Sequence, residues 1–121
     1  MIDTSLPLDF LENAPIALLQ TDSRGTILRA NQAGRELIET EVVSSEQTLA
    51  QLFANPEQGE EALLQLKNVG ILKEFAAVFR SAEGNLRHVV IDANISRHSR
   101  NDAEEYHFFI RDITASWLKQ S

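Results

Sequence analysis

The apolar positions of this chain change their spacing from one part of the sequence to the next. Ile16 to Thr21 is an apolar run of strand length, and residues 26–30 form a second stretch of similar length. Between them stands Asp22-Ser23-Arg24-Gly25, an Asp-first, Gly-last turn of the kind that joins two strands. The pattern therefore predicts a β-hairpin.

Three helix starts follow the hairpin. Asn31 is a candidate N-cap, Ser44 to Gln47 have the spacing of a capping box, and Asn55-Pro56 joins a cap to a proline at the first helical position. The third helix carries apolar residues at three- and four-residue spacing up to Gly70, which suits a helix C-terminus. We expect three short helices in succession.

From Ile71 the apolar positions alternate with a period of two, as in strands with one buried face. Two such strands flank the turn at residues 82–85. The polar segment 96–104 is predicted to be a loop, and Glu105 to Arg111 are predicted to form a fifth strand. The element order ββαααβββ indicates an α+β fold, in which short helices pack on one face of a single antiparallel sheet.

Composition excludes several kinds of chemistry. The 121 residues suit one domain, and the absence of cysteine excludes disulfides, thiolate metal sites and thiol nucleophiles. The net charge of −7 argues against a nucleic-acid or anionic membrane surface. No apolar run approaches the ~20 residues of a membrane span, and the polar start is not a signal peptide. We expect a cytoplasmic protein with no nucleic-acid partner and no membrane partner.

The last predicted strand ends in residues suited to passing a signal on. The apolar run Tyr106 to Ile110 leads into Arg111-Asp112-Ile113-Thr114, after which the sequence becomes polar and helical. Asp112 and Thr114 can each cap the free N–H groups of a following helix. A strand that runs directly into a helix can transmit the state of the domain, so we assign signal transmission to Arg111, Asp112 and Thr114.

Four motifs together resemble those of a PAS domain. They are Asn13-Ala14-Pro15, the pattern Asp22-x-x-Gly25-x-Ile27-x-x-x-Asn31-x-Ala33, the turn Glu83-Gly84, and Arg111-Asp112-Ile113-Thr114. The resemblance covers residues 13–114. It departs from the family pattern at Glu83, where aspartate is commoner, and at Ala76 and Ala77, which make the third strand less polar than usual.

The resemblance implies a five-stranded sheet of strand order 2-1-5-4-3 that cups a pocket under the helices. It also implies a non-enzymatic sensory or dimerising input module that feeds an effector in the same chain, such as a diguanylate cyclase or a histidine kinase. On this basis residues 1–14 are an N-terminal amphipathic cap segment, residues 15–114 the PAS domain, and residues 115–121 the start of a signalling helix.

The resemblance also bears on cofactors. Adduct-forming flavin domains and cinnamate-type photoreceptors of this family need a cysteine, which the chain lacks. Alignment with the family motif places Phe108 on the pocket side of the fifth strand, where it would occupy the space of a flavin ring. Haem-binding members usually carry a histidine on the last helix before the third strand, and residues 60–70 contain none. We expect no cofactor and no metal.

The inward-facing positions are apolar except Thr21, so the sequence offers no catalytic residue. Either the pocket binds a small apolar metabolite, or phenylalanines fill it and the domain works by dimerisation, which we favour. The alternative from another class is a small apolar-pocket enzyme of the cone-shaped α+β isomerase or dehydratase type, and Tyr106 would lie only at the mouth of its pocket. The candidate pocket-lining residues are Leu19, Leu28, Phe75, Phe79, Val89, Ile91, Phe108 and Ile110.

The outward-facing positions predict a homodimer. Leu18, Val90 and Phe109 would form one apolar patch on neighbouring strands, and monomers rarely leave such a patch bare. The amphipathic segment with Leu8, Phe10 and Leu11 must end near Asn13 because Pro15 follows, and it is the natural cover, from its own chain or from a partner. A monomer covered by its own segment is the alternative.

Histidines offer one further hypothesis. His88 and His107 face outward and His98 lies in the predicted loop, so all three are expected to be solvated. If His107 lies opposite Asp92 on the neighbouring strand, the carboxylate would favour the charged imidazole and could form a pH switch.

Overall fold

The elements of the computed structural model follow the predicted order. The structure describes residues 8–44, 46–97 and 103–115. In chain order the elements are α1 (Leu8–Glu12), β1 (Ala17–Asp22), β2 (Ile27–Ala30), α2 (Gln32–Ile38), α3 (Leu49–Leu52), α4 (Pro56–Val69), β3 (Ile71–Arg80), β4 (Leu86–Arg97) and β5 (Glu104–Asp112).

All five strands form one antiparallel sheet of order β2-β1-β5-β4-β3, which confirms the predicted order. The first strand pairs with the last, from Ala17 opposite Ile110 to Asp22 opposite Glu105. The chain therefore enters β1 and leaves β5 at the same end of the sheet. This end brings the predicted signal-transmission residues next to the N-terminal segment.

Two of the predicted helix starts are confirmed. The Asn31 side chain accepts the Gly34 N–H at 2.8 Å at the start of α2. The Asn55 side chain accepts the Glu57 N–H at 3.0 Å, ahead of Pro56 at the first turn of α4. Helix α4 ends at Gly70, whose φ of 87° is a conformation that glycine adopts without a steric penalty.

The predicted capping box at residues 44–47 does not start a helix. Gln47 does accept the Ser44 N–H through its side chain at 2.8 Å, but this bond closes a turn, and Ser45 lies outside the described residues. The backbone of 47–49 is held by the β1–β2 loop and the start of β2, because Leu49 N donates to Gly25 O at 2.7 Å and Gln47 O accepts the Ile27 N–H at 2.9 Å. Helix α3 consequently begins only at Leu49 and lasts one turn.

Strands β4 and β5 extend further than the sequence predicts. Ser96 pairs with Glu105 and Arg97 with Glu104, so part of the predicted 96–104 loop is strand, and residues 98–102 lie outside the described residues. Polar residues can continue a backbone ladder beyond the core, because the ladder uses only main-chain groups.

A single apolar core lies between the helices and the inner face of the sheet. Helix α4 contributes Ala62 and Leu66, which are fully buried, while Leu64 on its opposite side is exposed. The buried core residues of the strands are Ala17, Leu19, Ile27, Leu72, Ala77, Phe79, Val89, Ile91, Ala93, Tyr106, Phe108 and Ile110.

Candidate functional site

Residues 112–114 connect the end of β5 to the start of β4. The Ile113 N–H donates to His88 O at 2.8 Å, and the His88 N–H donates to Thr114 Oγ1 at 2.9 Å. Asp112 Oδ1 accepts the Thr114 N–H at 2.9 Å and the Thr114 hydroxyl at 2.5 Å. Asp112 thus caps the helical turn that begins at Thr114, the contact that the sequence predicts for it. We call these bonds the exit network.

Arg87 adds a cation to the exit network. One of its terminal nitrogens lies 3.6 Å from Asp112 Oδ2, and about a third of each side chain is exposed. An ion pair of this kind contributes at most ~1 kcal/mol to stability. In the sheet, Arg87 of β4 lies opposite Phe79 of β3. The buried Nε of Arg87 has no hydrogen-bond partner among the described residues.

A cleft of about 660 Å³ lies beside the exit network. Residues from the entry to β1, from α2 and from the exit of β5 border it together. A group that occupies this cleft therefore contacts both the chain entering β1 and the chain leaving β5, at one end of the sheet. The residues lining the cleft are Pro15, Ile16, Ala17, Ala33, Glu36, Leu37, Arg87, Ile110, Arg111, Asp112 and Ile113.

The predicted pocket-lining residues mostly come together under the helices. Phe75 is half-buried against the core. Six others are buried in that core, namely Leu19, Phe79, Val89, Ile91, Phe108 and Ile110.

Leu28 is the exception, and the prediction that it faces the interior is wrong. Its side chain is 44% exposed, whereas Ile27 is buried. The pairing of β1 with β2 shifts register between Gln20 and Thr21, so that Arg29 lies opposite Gln20 and Ile27 opposite Thr21. Leu28 is the extra residue of this bulge, and the inward-outward alternation assumed from the sequence breaks there.

Phe53 is a core residue that the sequence reading did not place in the pocket. It follows α3, is 4% exposed, and its ring meets that of Phe79 edge-to-face with centroids 5.0 Å apart. Gly59 of α4 faces the same ring, because a Cβ there would come within 3.0 Å of it. The interior next to Phe79 is thus occupied by a side chain from the helical layer. In the sequence, this packing could have been suspected from Phe53 at the end of a predicted helix and from Gly59 in the next one, where the missing side chain leaves room for a ring.

Tyr106 lies inside the core and not at its mouth, which corrects the expectation from the sequence. It is 1% exposed and stands opposite Thr21, which is fully buried. Burial, reinforced by the nearby Glu104 and Asp22, raises the pKa of the Tyr106 hydroxyl. The phenol is therefore neutral at physiological pH. Among the described residues, the buried polar side chains are Thr21, Asn31 and Ser81, which include no carboxylate and no histidine to act with Tyr106 as an acid–base pair.

The outer face of the sheet carries the predicted dimer residues. Leu18 lies directly opposite Phe109, and Val90 is diagonal to Phe109 because it pairs with Arg111. All three side chains are half-buried in the single chain. Phe10 and Leu11 of α1 are 67% and 37% exposed, so in the described part of the chain Phe10 does not cover this face. The side chain of Leu8 lies outside the described residues.

The predicted pairing of His107 with Asp92 is wrong by two residues. His107 lies opposite Asn94, and Asp92 lies opposite Phe109. Asp92 instead accepts the Glu74 N–H at 2.9 Å across the irregular start of β3. The acidic neighbour of His107 is Glu105, whose carboxylate oxygen is 4.0 Å from the imidazole Nε2 and also accepts a hydrogen bond from Gln20. The alternation within one strand does not show which residues of β4 and β5 lie opposite each other, so the sequence could not predict this register.

The described residues contain no cluster of three or more side chains able to hold a metal ion. None of their helices is long and apolar enough to cross a bilayer.

Comparison with solved structures places this fold among known ones. The chain superposes on a PAS domain from a two-component sensor histidine kinase with a TM-score of 0.72, at 16% identity over 87% of this chain and 91% of the other. It superposes on the PAS domain of nitrogen regulation protein NR(II) from Vibrio parahaemolyticus with a TM-score of 0.71, at 23% identity over 91% of this chain and the whole of the other.

A light-oxygen-voltage domain studied with a flavin analogue is similar to the same degree, with a TM-score of 0.72 and 13% identity over 93% of this chain and 87% of the other. No protein-family model matches the sequence, and no curated protein matches it. At these identities the likeness concerns the fold.

Proposed function

We propose that this chain, whose fold is the PAS fold, is a sensory and dimerising input module that passes its state to an effector through the exit network. The observation that supports this is the set of hydrogen bonds that joins Ile113 and Thr114 to His88 of β4 and Asp112 to Thr114. A change in the sheet that alters the position of β4 also alters the position of His88, to which Ile113 and Thr114 are bonded. The start of the exit helix then moves with the sheet.

The proposal divides the chain into a cap segment at residues 1–14, the PAS domain at residues 15–114 and the start of a signalling helix at residues 115–121. The effector in the same protein is of the diguanylate cyclase or histidine kinase class. We assign Arg111, Asp112 and Thr114 to signal transmission and no residue to catalysis. The setting is the cytoplasm, without nucleic acid or a membrane as partner.

The interior supports a module that works without a cofactor. Phe53 and Phe79 fill the space under α4 with aromatic side chains, and Phe108 is buried on β5. A small apolar metabolite as an alternative stimulus would have to displace Phe53. Purified protein should therefore be colourless, and a stoichiometric visible absorbance band that survives dialysis would contradict this.

The outer face of the sheet supports dimerisation. Leu18 and Phe109 face each other on adjacent strands, and Phe10 extends an apolar side chain into solvent close to where the chain enters β1. A symmetric pairing of two such faces, with the two α1 segments, would cover apolar surface in both copies. We place Leu8, Phe10, Leu11, Leu18, Val90 and Phe109 in this interface.

The relay is tested by Asp112→Ala in the protein that carries this chain together with its effector. The change removes both bonds to Thr114 and the partner of Arg87, so effector activity should no longer depend on the input state. Asp92→Ala is the matched control, because it removes a strand carboxylate bonded to β3 and leaves the exit network intact. Regulation that stays at the wild-type level in Asp112→Ala would refute the assignment.

A further inference from the structure

The cleft beside the exit network has no occupant among the described residues. Ile110 and Ala17 are buried beneath it, while Pro15, Ile16 and Ile113 border it with partly exposed apolar side chains. The cleft is open to solvent, and its volume of about 660 Å³ lies within the roughly 300–1,000 Å³ of clefts that bind small molecules.

The chain itself leaves the sheet at this cleft. Strand β5 ends at Asp112, Ile113 lines the cleft, and Thr114 and Ala115 begin a helix. In an α-helix, residues four positions apart lie on the same face. Trp117 follows Ile113 by four residues in the sequence, so a helix that continues from Thr114 would carry its tryptophan within one turn of the cleft.

The composition of the six residues that follow agrees with this. Residues 116–121 read Ser-Trp-Leu-Lys-Gln-Ser, so Trp117 and Leu118 are the apolar members of an otherwise polar segment. An aromatic side chain such as that of tryptophan buries about 150–250 Å², so its burial in an apolar cleft is strongly favourable. The rim charges Glu36, Arg87, Arg111 and Asp112 balance in sign, so they do not favour a strongly charged small ligand.

From these observations we propose that the cleft formed by Ala33, Leu37, Ile110 and Ile113 is the docking site of the chain's own exit segment, with Trp117 as the inserted side chain. The segment then rests against α2 as well as against β5. This inference goes beyond the relay through Asp112, because the exit network holds the backbone of the segment and the cleft holds its first large side chain.

Trp117 is the sole tryptophan of the chain, so its fluorescence reports its environment directly. In the 121-residue chain we expect a blue-shifted emission and severalfold weaker quenching by acrylamide than in the same chain unfolded in guanidinium. Ala33→Glu places a larger, charged side chain in the cleft. It should shift the emission to the red and raise the quenching toward that of the unfolded chain.

Ala50→Glu is the matched control. Ala33 and Ala50 both occupy the second helical position after an N-cap, in α2 and α3, and Ala50 is exposed and does not line the cleft. A negative charge in the first turn is favourable at both sites. Ala50→Glu should therefore leave the fluorescence of Trp117 unchanged, and circular dichroism checks that both variants remain folded.

Thermal unfolding supplies a second readout. Trp117→Ala should lower the unfolding midpoint of the wild type and of Ala50→Glu, but not that of Ala33→Glu, where the contact is already lost. Three results would overturn the proposal: wild-type quenching equal to that of the unfolded chain, protection of Trp117 that Ala33→Glu does not change, or protection that disappears on dilution. The last would identify a second copy as the source of the protection. None of these results depends on effector regulation, so they are distinguishable from failure of the relay.

Discussion

The side-chain oxygen of Asn31 accepts the backbone N–H of Leu18 at 2.9 Å, which ties the start of α2 to the second residue of β1. The same oxygen accepts the Gly34 N–H, and the side-chain nitrogen donates to Leu11 O and Ile16 O, both at 2.9 Å. Asn31 is 6% exposed. One buried amide therefore joins the N-terminal segment, the sheet and a helix.

Asn31→Ala should destabilise the domain by roughly 2–4 kcal/mol. Loss of the cap alone costs ~1 kcal/mol. The part-buried Leu18 N–H and the two part-buried carbonyls lose their partner as well. An unsatisfied group costs about 1–3 kcal/mol when it is fully buried and less where water can replace the lost partner. Chemical denaturation of the purified chain measures the change in the free energy of unfolding.

Asn55→Ala is the control for this prediction. Asn55 also caps a helix, but it is exposed, and among the described residues its side chain bonds to Glu57 alone. Its loss should cost about 0.5–1 kcal/mol. Asn31→Asp, which keeps the accepting oxygen and loses the donors to Leu11 and Ile16, should fall between the two. Equal losses in Asn31→Ala and Asn55→Ala would show that the bonds of Asn31 beyond the cap add nothing.

The sequence could predict Asn31 as a cap because capping depends on residues three positions apart. It could not predict the bonds to Leu11, Ile16 and Leu18, which exist only once the hairpin and α2 have packed. The same limit explains the capping box at Ser44. Its local bond forms as expected, but pairing of Gln47 and Leu49 with the β1–β2 loop overrides the helix start.

Phe53→Ala should convert a filled interior into a ligand-binding one. Removing a buried phenylalanine costs roughly 3–5 kcal/mol and leaves an apolar cavity next to Phe79. Such a cavity stays dry and takes up small aromatic molecules. Indole or benzene should therefore raise the unfolding temperature of Phe53→Ala and leave that of the wild type unchanged. Leu64→Ala, at an exposed position of α4, is the control and should show neither effect.

Gly59 gives an independent check on the same packing. Alanine is preferred to glycine in a helix by about 1 kcal/mol. In the wild type, however, the new Cβ would stand 3.0 Å from the Phe53 ring, so Gly59→Ala should be destabilising. In the Phe53→Ala background the same change should become stabilising. A Gly59→Ala effect of the same sign in both backgrounds would mean that the ring does not occupy this space.

Prediction of the site from the sequence succeeded where strands alternate without interruption. Val89, Ile91, Phe108 and Ile110 lie on regular parts of β4 and β5, and all are buried as expected. Leu28 failed because a bulge shifts the register of β2. Bulges depend on the pairing of two strands, so the sequence of one strand does not show them.

Stability should fall in acid in a way that depends on Glu39. The Glu39 carboxylate accepts hydrogen bonds from Ser81 Oγ and from Asn85 Nδ2. These bonds hold the pKa of Glu39 below the usual 4.5; burial opposes the shift, and the charge of Arg87 adds to it. Because the folded pKa is the lower one, the stabilisation is complete above pH 4.5 and is lost as the pH falls through the folded value.

Glu39→Gln should accordingly reduce stability at neutral pH and flatten its decline below about pH 4.5. The measurement is the unfolding midpoint of both proteins across this range. Glu83→Gln removes the same charge from an exposed position in the neighbouring turn and should keep the wild-type slope. A wild-type slope in Glu39→Gln would assign the acid sensitivity to other groups, of which Glu12, whose pKa is lowered by its hydrogen bond to Arg35, is the first to test.

Phe109→Lys should turn a dimer into a folded monomer. Phe109 lies at the centre of the outer face, opposite Leu18 and diagonal to Val90, so a charge there would be buried without a partner if two such faces meet. In a monomer the lysine would reach solvent at little cost, and the unfolding midpoint measured at low concentration should change little.

Light scattering at tens of micromolar gives the mass. Val42→Lys adds the same charge at a 77% exposed position outside the sheet and should remain dimeric. A wild-type chain that is already monomeric at this concentration would end the proposal that the outer face is the dimer interface.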